Sequence, residues 1–227
     1  MSFFHLSPFT FRLISLPLQE NEHISFMIKN IIFDLAGVVL NLNLERDVKA
    51  LADAGFPDFK GCIENPKIAG AMMPYLNGLC TEQEFLENIR PFCKPDATDE
   101  DILWAMDAVL DDIPGSRLAK ISELKNKYKI YLLSNIYNKA WQHALRMFDA
   151  AGYKTEDCFD ELFLSYEMNL AKPDPKIYAA VFNATGIKPE ETVYFDDSRD
   201  NIEMGKKLGM DSRLVKMNHL EDYWGDL

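Results

Sequence analysis

Five short apolar runs, several of them β-branched, recur along the chain between polar positions: NIIFD (30–34), KIYLLS (129–134), ELFLS (161–165), TVYFD (192–196) and SRLVK (212–216). Their length and boundaries predict buried strands. Between the later runs the period changes. Leu118, Ile121 and Leu124 recur at helical spacing within 116–127, and Trp141, Ala144, Leu145 and Phe148 do so within 138–150. Residues 175–184 and 200–208 also predict helices. Strands alternating with helices predict βαβ units, hence an α/β fold: a Rossmann-like, doubly wound parallel sheet of five or more strands with helices on both faces.

One interval breaks this rhythm. Roughly 80 residues separate the first strand from the helix at 116, far more than an ordinary crossover needs. Within it LERDVKALADAG, TEQEFLENIRPFC and DEDILWAMDAVLDDI read as helical, with Pro57, Pro66, Pro74, Pro91, Pro95 and Pro114 as punctuation. The expected division is an α/β core over 27–43 and 115–227, with a small all-helical cap, 44–114, planted in it. Residues 1–26 are apolar and aromatic, but Pro8 and Pro17 interrupt them and Arg12 is their one basic residue. They fit neither a signal peptide nor a membrane span and are expected to be an extension without a catalytic role.

With 48% hydrophobic residues the chain has material for a real core. Its net charge of −12 disfavours nucleic-acid and anionic-membrane partners, and any anionic substrate has to be held by local cations or a metal. Cys62, Cys80, Cys93 and Cys158 form no CxxC pair and are expected to be reduced thiols of a cytoplasmic protein.

Ligands of open parallel sheets bind outside the carboxyl ends of the strands. The first strand ends at Asp34 and the second at Ser134-Asn135. The third leads into AKPDP with Lys172, and the fourth ends at Asp196-Asp197-Ser198. Each feature alone is ordinary. Together they bring carboxylate, hydroxyl, ammonium and a carboxylate pair to one sheet edge.

In order, IIFDLAGVVL, YLLSN, AKPDP and YFDDSRDNIEMGKKLGM resemble the four motifs of the haloacid dehalogenase-like (HAD) hydrolases, over about residues 27–216. The subgroup style is similar to that of the small sugar-phosphate phosphatases related to bacterial glucose-1-phosphatase, and to the N-terminal phosphatase domain of mammalian epoxide hydrolase. The resemblance implies a C1-type cap and a phosphatase acting on a small phosphorylated metabolite. In that chemistry Asp34 attacks phosphorus and forms an aspartyl-phosphate that water hydrolyses. Carboxylates around a phosphate dianion require a hard cation, so Mg2+ is expected. Its candidate ligands are Asp34, the Ala36 carbonyl, Asp196 and Asp197, with Asp197 the more direct of the pair. Lys172 would place positive charge on the nucleophile and phosphate. Ser134 and Asn135 would donate to phosphate oxygens, and Asn201 would support from behind.

Most phosphatases of the family carry a second Asp two positions past the nucleophile, which protonates the leaving group and then activates water. Here that position is Ala36. General acid–base assistance is worth about 10²–10⁴ in rate. Either the substrate has an easy leaving group, such as an anomeric or acyl phosphate, or an Asp, Glu or His of the cap donates the proton. The easy leaving group is the favoured expectation. Rival readings are a phosphate-binding protein with weak or no turnover, and a 2-haloacid dehalogenase, against which the Asp196-Asp197 pair argues. The Met-rich AGAMMPYLNG (69–78) is either a lid segment or cap core, and Trp104 and Trp141 are expected in the core.

Overall fold

The computed structural model describes residues 27–227; the expected N-terminal extension lies outside them. Strands β1 (Asn30–Phe33), β2 (Lys129–Ser134), β3 (Glu161–Leu164), β4 (Thr192–Asp196) and β5 (Asp211–Leu214) form one parallel sheet in the order β3-β2-β1-β4-β5. The first strand is thus central, with Phe33 in register with Leu132 on one side and Phe195 on the other. Side chains alternate across a strand, and here the alternation separates two cores. Ile31 and Phe33 join one apolar cluster, while Ile32 joins the other.

Helices cover both faces. Leu118 and Ile121 of α6 (Gly115–Leu124) and Ala144 and Phe148 of α7 (Asn138–Ala150) pack into the first cluster; Ile177 and Val181 of α10 (Pro175–Thr185) and Ile202 of α11 (Arg199–Lys207) pack into the second. Two one-turn helices, α8 (Thr155–Cys158) and α9 (Ser165–Met168), flank β3. The last strand begins and ends slightly earlier than the sequence pattern predicts, at Asp211–Leu214.

Five helices intervene between β1 and α6: α1 (Leu44–Ala54), α2 (Phe59–Glu64), α3 (Pro66–Leu76), α4 (Glu82–Ile89) and α5 (Asp99–Asp107). Side chains close their first turns. Asn43 accepts from the Arg46 N–H, and Thr81 and Thr98 form capping boxes with Glu84 and Asp101. Two expectations need correction. Pro74 does not separate helices but lies inside α3, where its missing N–H forgoes the helix bond to the Gly70 carbonyl. Trp104 is 50% exposed, because Ile102, Leu103 and Met106 put the buried face of α5 on its other side. Trp141 is in the core, and so are Met72 and Tyr75 of the Met-rich segment.

The turn after β1 is tied down by a buried arginine that the sequence pattern does not reveal. Arg117 Nη1 donates to the carbonyls of Val38 (2.9 Å) and Val39 (3.0 Å) and to Asn41 Oδ1 (2.9 Å). Its Nε and Nη2 grip both oxygens of Glu221, at 2.7 and 2.9 Å, in the closing 3-10 helix Leu220–Asp226. All four cysteines are free. Among the described residues no helix is long and apolar enough to cross a membrane.

Candidate active site

Parallel strands all point their carboxyl ends the same way, so the polar residues that close them meet. Asp34 follows β1 directly, and its N–H still bonds the Phe195 carbonyl at 2.9 Å, which fixes its backbone against β4. Its Oδ1 accepts from the Leu35 N–H at 2.7 Å and lies 2.8 Å from Lys172 Nζ. Lys172 is buried, and its ammonium also reaches Asp196 Oδ2 and the Leu133 carbonyl, each at 2.8 Å. One lysine thereby joins the ends of β1, β2 and β4.

Asp196 is saturated. Besides Lys172 it accepts from the Tyr194 hydroxyl, from the Ser198 N–H at 2.8 Å and from the Asn201 amide at 3.0 and 3.1 Å. Tyr194 escaped the sequence reading, although the two-residue period of β4 puts it on the same side as Asp196. Asp197 lies beside Gly37, whose φ of +78° turns the chain tightly after Ala36. A Cβ at Gly37 would fall on Asp197 Oδ2, so the missing side chain is what leaves room for this carboxylate.

Asp34, Asp196 and Asp197 offer oxygen atoms that all lie within 4.8 Å of one another. Burial pushes the Asp34 carboxyl up to about 7, with Lys172 pulling it down and Asp196 and Asp197 pushing it further up. Burial likewise raises Asp197 to about 6, helped by the charge of Asp196. For Lys172 burial favours the neutral amine, but Asp196 and Asp34 outweigh it and keep the ammonium charged. Three carboxylates against one ammonium leave an excess of negative charge in a site shielded from water. A hard divalent cation with oxygen ligands corrects that imbalance, and the donor set fits Mg2+.

The remaining strand-end residues divide. Ser134 Oγ is shut off completely from solvent and, among the described residues, is the one side-chain polar atom so enclosed that has no hydrogen-bond partner. Such an orphan hydroxyl normally has a ligand or water to satisfy it. Asn135 is committed differently. Its amide donates to the Lys172 carbonyl at 2.9 Å, and its Oδ1 accepts from the Lys172 N–H at 2.8 Å. It pins the loop that carries the lysine. Ala36 is half-buried, and no hydrogen bond to its carbonyl is formed among the described residues.

A cavity of about 380 Å³ opens next to this cluster; Asp34, Ser134, Lys172 and Asp196 do not line it themselves, but their chain neighbours Leu35, Asn135 and Asp197 do. Ala36, Asn135 and Asp197 contribute from the core, and Asp47, Leu51, Met72 and Met106 from the helical segment.

A model of the haloacid dehalogenase-like hydrolase family matches residues 28–209. The chain belongs to this family. It is 29% identical to a D-ribitol-5-phosphate phosphatase of Bacteroides thetaiotaomicron, over 82% of this chain and 91% of that protein. A HAD family enzyme from the same species, solved in complex with magnesium and inorganic phosphate, has 35% identity and a TM-score of 0.74, covering 85% of this chain and 96% of the other. A predicted HAD-like family hydrolase from Porphyromonas gingivalis has 26% identity and a TM-score of 0.77, covering 88% and 96%. The acidic cluster of this HAD-like hydrolase thus sits on a sheet whose relatives include an enzyme that binds magnesium and phosphate together.

Proposed function

We propose that this HAD-like hydrolase is a Mg2+-dependent phosphatase that cleaves a small phosphorylated metabolite through an aspartyl-phosphate on Asp34. The carrying observation is the buried Asp34–Lys172–Asp196 array, which joins a carboxylate nucleophile to a fixed cation, with the unpartnered Ser134 hydroxyl at the end of the neighbouring strand β2 as a free donor on the same sheet edge. The phosphatase names of relatives and the magnesium–phosphate complex of a neighbour support the same chemistry. A phosphorylated sugar or sugar alcohol is the substrate class those names suggest, as for the "Phosphorylated carbohydrates phosphatase" of Thermotoga maritima.

Asp34 attacks phosphorus in line with the leaving oxygen. Lys172 holds the nucleophile in place and offsets its charge, and Ser134 donates to a phosphoryl oxygen. Asn135 acts through Lys172 by fixing its backbone. Asp34, the Ala36 carbonyl and Asp197 would hold Mg2+, with Asp196 steadied by Tyr194 and Asn201 behind them. When bound, the ion neutralises phosphoryl charge as a Lewis acid. Helices α1–α5 act as the cap, closing over the strand ends and excluding water.

A dehalogenase would place Asp197 beside an anionic substrate with no metal ion to offset it, because the ammonium of Lys172 is already shared between Asp34 and Asp196. The test is phosphate release from a panel of phosphate esters with Mg2+. The wild type turns over, Asp34→Asn is inactive, and removal of Mg2+ with a chelator stops the reaction. Turnover retained in Asp34→Asn refutes the nucleophile assignment, and chloride release from 2-chloropropionate without metal would establish the dehalogenase instead.

A further inference from the structure

Ala36 offers no titratable group two residues past Asp34, and the cavity holds few others in its lining. Its lining is almost wholly apolar. The polar exceptions are Asp47, Asn77, Asn135, Tyr137 and Asp197. Three of these are committed: Asn135 to the Lys172 backbone, the Tyr137 hydroxyl to Asp107, and Asp197 to the acidic cluster. Asn77 has no transferable proton at neutral pH. Asp47 remains. It lies on α1, is 7% exposed, and its carboxyl makes no hydrogen bond or ion pair among the described residues.

We propose that Asp47 is the general acid and base of this active site, supplying from the cap the function that Ala36 lacks. The proposal rests on the phosphatase assignment above. In the first step the Asp34 carboxylate forms a bond to phosphorus and the phosphorus–leaving-oxygen bond breaks. Its electron pair goes to that oxygen, which takes the proton of the Asp47 carboxyl and departs as the alcohol. In the second step water attacks phosphorus and gives one proton to the Asp47 carboxylate. The phosphorus–Asp34 bond breaks, returning its electron pair to Asp34 and releasing phosphate. Asp47 ends protonated, as it began.

The surroundings suit the task. Burial alone raises the Asp47 carboxyl to about 6, so a useful fraction keeps its proton near neutrality. No facing cation undoes this. Arg46 on the same helix turns away to the carbonyls of Ala108 and Leu110 and to Asp111, and Lys49 pairs with Asp53. From α2 the facing group is the Cys62 thiol, pushed up to about 11 chiefly by burial and so neutral. On α5, Asp107 is held by Tyr137, and Asp99, Glu100 and Asp101 lie in the exposed first turn. Asp197 lines the same cavity.

The test is a leaving-group series under saturating Mg2+: ethyl and glycerol phosphates, p-nitrophenyl phosphate and acetyl phosphate. Asp47→Asn is expected to lower kcat about 100-fold or more on the alkyl esters. The same variant should stay within a few-fold of wild type on p-nitrophenyl and acetyl phosphates, whose leaving groups need no proton. The fall of wild-type kcat at high pH should be absent from the variant, and Asp47→Glu should restore part of the alkyl-ester rate. Equal losses across the series, or alkyl-ester turnover that Asp47→Asn leaves unchanged, overturn Asp47 as the acid while the phosphatase assignment stands. A wild type silent on every substrate overturns both.

Discussion

Gly37 offers a direct test of whether the space beside Asp197 is functional. Its φ of +78° costs a residue with a Cβ about 1–2 kcal/mol, whatever surrounds it. The surroundings add a second effect. The Cβ of Gly37→Ala would fall on Asp197 Oδ2, 3.0 Å from Asp197 Cγ and 3.4 Å from Met217 Cγ. The carboxylate has to move, and one of the three clustered carboxylates proposed to hold Mg2+ leaves its place. Misplacing groups that orient a metal ligand typically costs 10–100-fold in metal affinity. The expected result is a half-saturating Mg2+ concentration raised by that factor, together with a fall in Tm of about 2–8 °C from the backbone strain. Gly152→Ala separates the two effects. Gly152 has φ +82° and nothing within 4 Å of the added Cβ, so it should lower Tm similarly and leave the Mg2+ dependence alone. If Gly37→Ala binds Mg2+ as the wild type does, the carboxylate beside it is not a ligand whose place matters.

Three further outcomes follow from the same geometry. Arg117→Met strands the buried Val38 and Val39 carbonyls and should cost about 3–5 kcal/mol in urea unfolding. Glu221→Gln, at a half-exposed partner, should cost under about 1 kcal/mol; an equally small cost for Arg117→Met would show that the clamp on the turn is unimportant. The Asp47 carboxyl, raised to about 6 in the fold from 3.8, destabilises the folded protein as it ionises, so that the wild type loses stability between about pH 4 and 6. Asp47→Asn should therefore be the more stable protein at pH 7.5 and no more stable at pH 3.5, and a Tm difference independent of pH would contradict this. Finally, Ala36→Asp in the Asp47→Asn background should recover alkyl-phosphate turnover, measured as phosphate release, because it returns a titratable group to the cavity wall two residues past the nucleophile.

What the sequence discloses about this molecule follows one physical rule. A parallel strand has a fixed polarity, so the polar residue closing each apolar run must lie on the same edge as the others. Asp34, Ser134 and Asp196 were legible on that ground alone, and the order of the strands was not needed to bring them together. Lys172 was legible as a loop residue, but its three-way bond to Asp34, Asp196 and the Leu133 carbonyl was not, because it depends on the Asn135 clamp. Asn135 shows the limit of motif reasoning: its side chain faces the Lys172 backbone on both sides, a role that residue type and position do not distinguish from ligand binding. Arg117 was invisible for a related reason. Its partners come from residues 38–41, 218 and 221, and no local pattern joins them.

Helix α1 is where pattern and fold disagree most, and the disagreement has a consequence for the chemistry. Its apolar residues Leu44, Val48 and Leu51 mark one stripe, which a simple amphipathic helix would bury. Instead Leu44, at the cavity, is 53% and Val48 48% exposed, while Asp47 is buried along with Ala50, Leu51 and Ala54. Burying a carboxyl while two aliphatic side chains stay exposed works against stability, and the helix makes no hydrogen bond to that carboxyl in return. Sequences depart from local consistency in this way chiefly where function requires it. The rotation of α1 leaves Asp47 on the wall of the cavity that Ala36 also lines, and so the proposed acid–base role of Asp47 gives the missing carboxylate after Asp34 and the misplaced carboxylate on α1 one explanation.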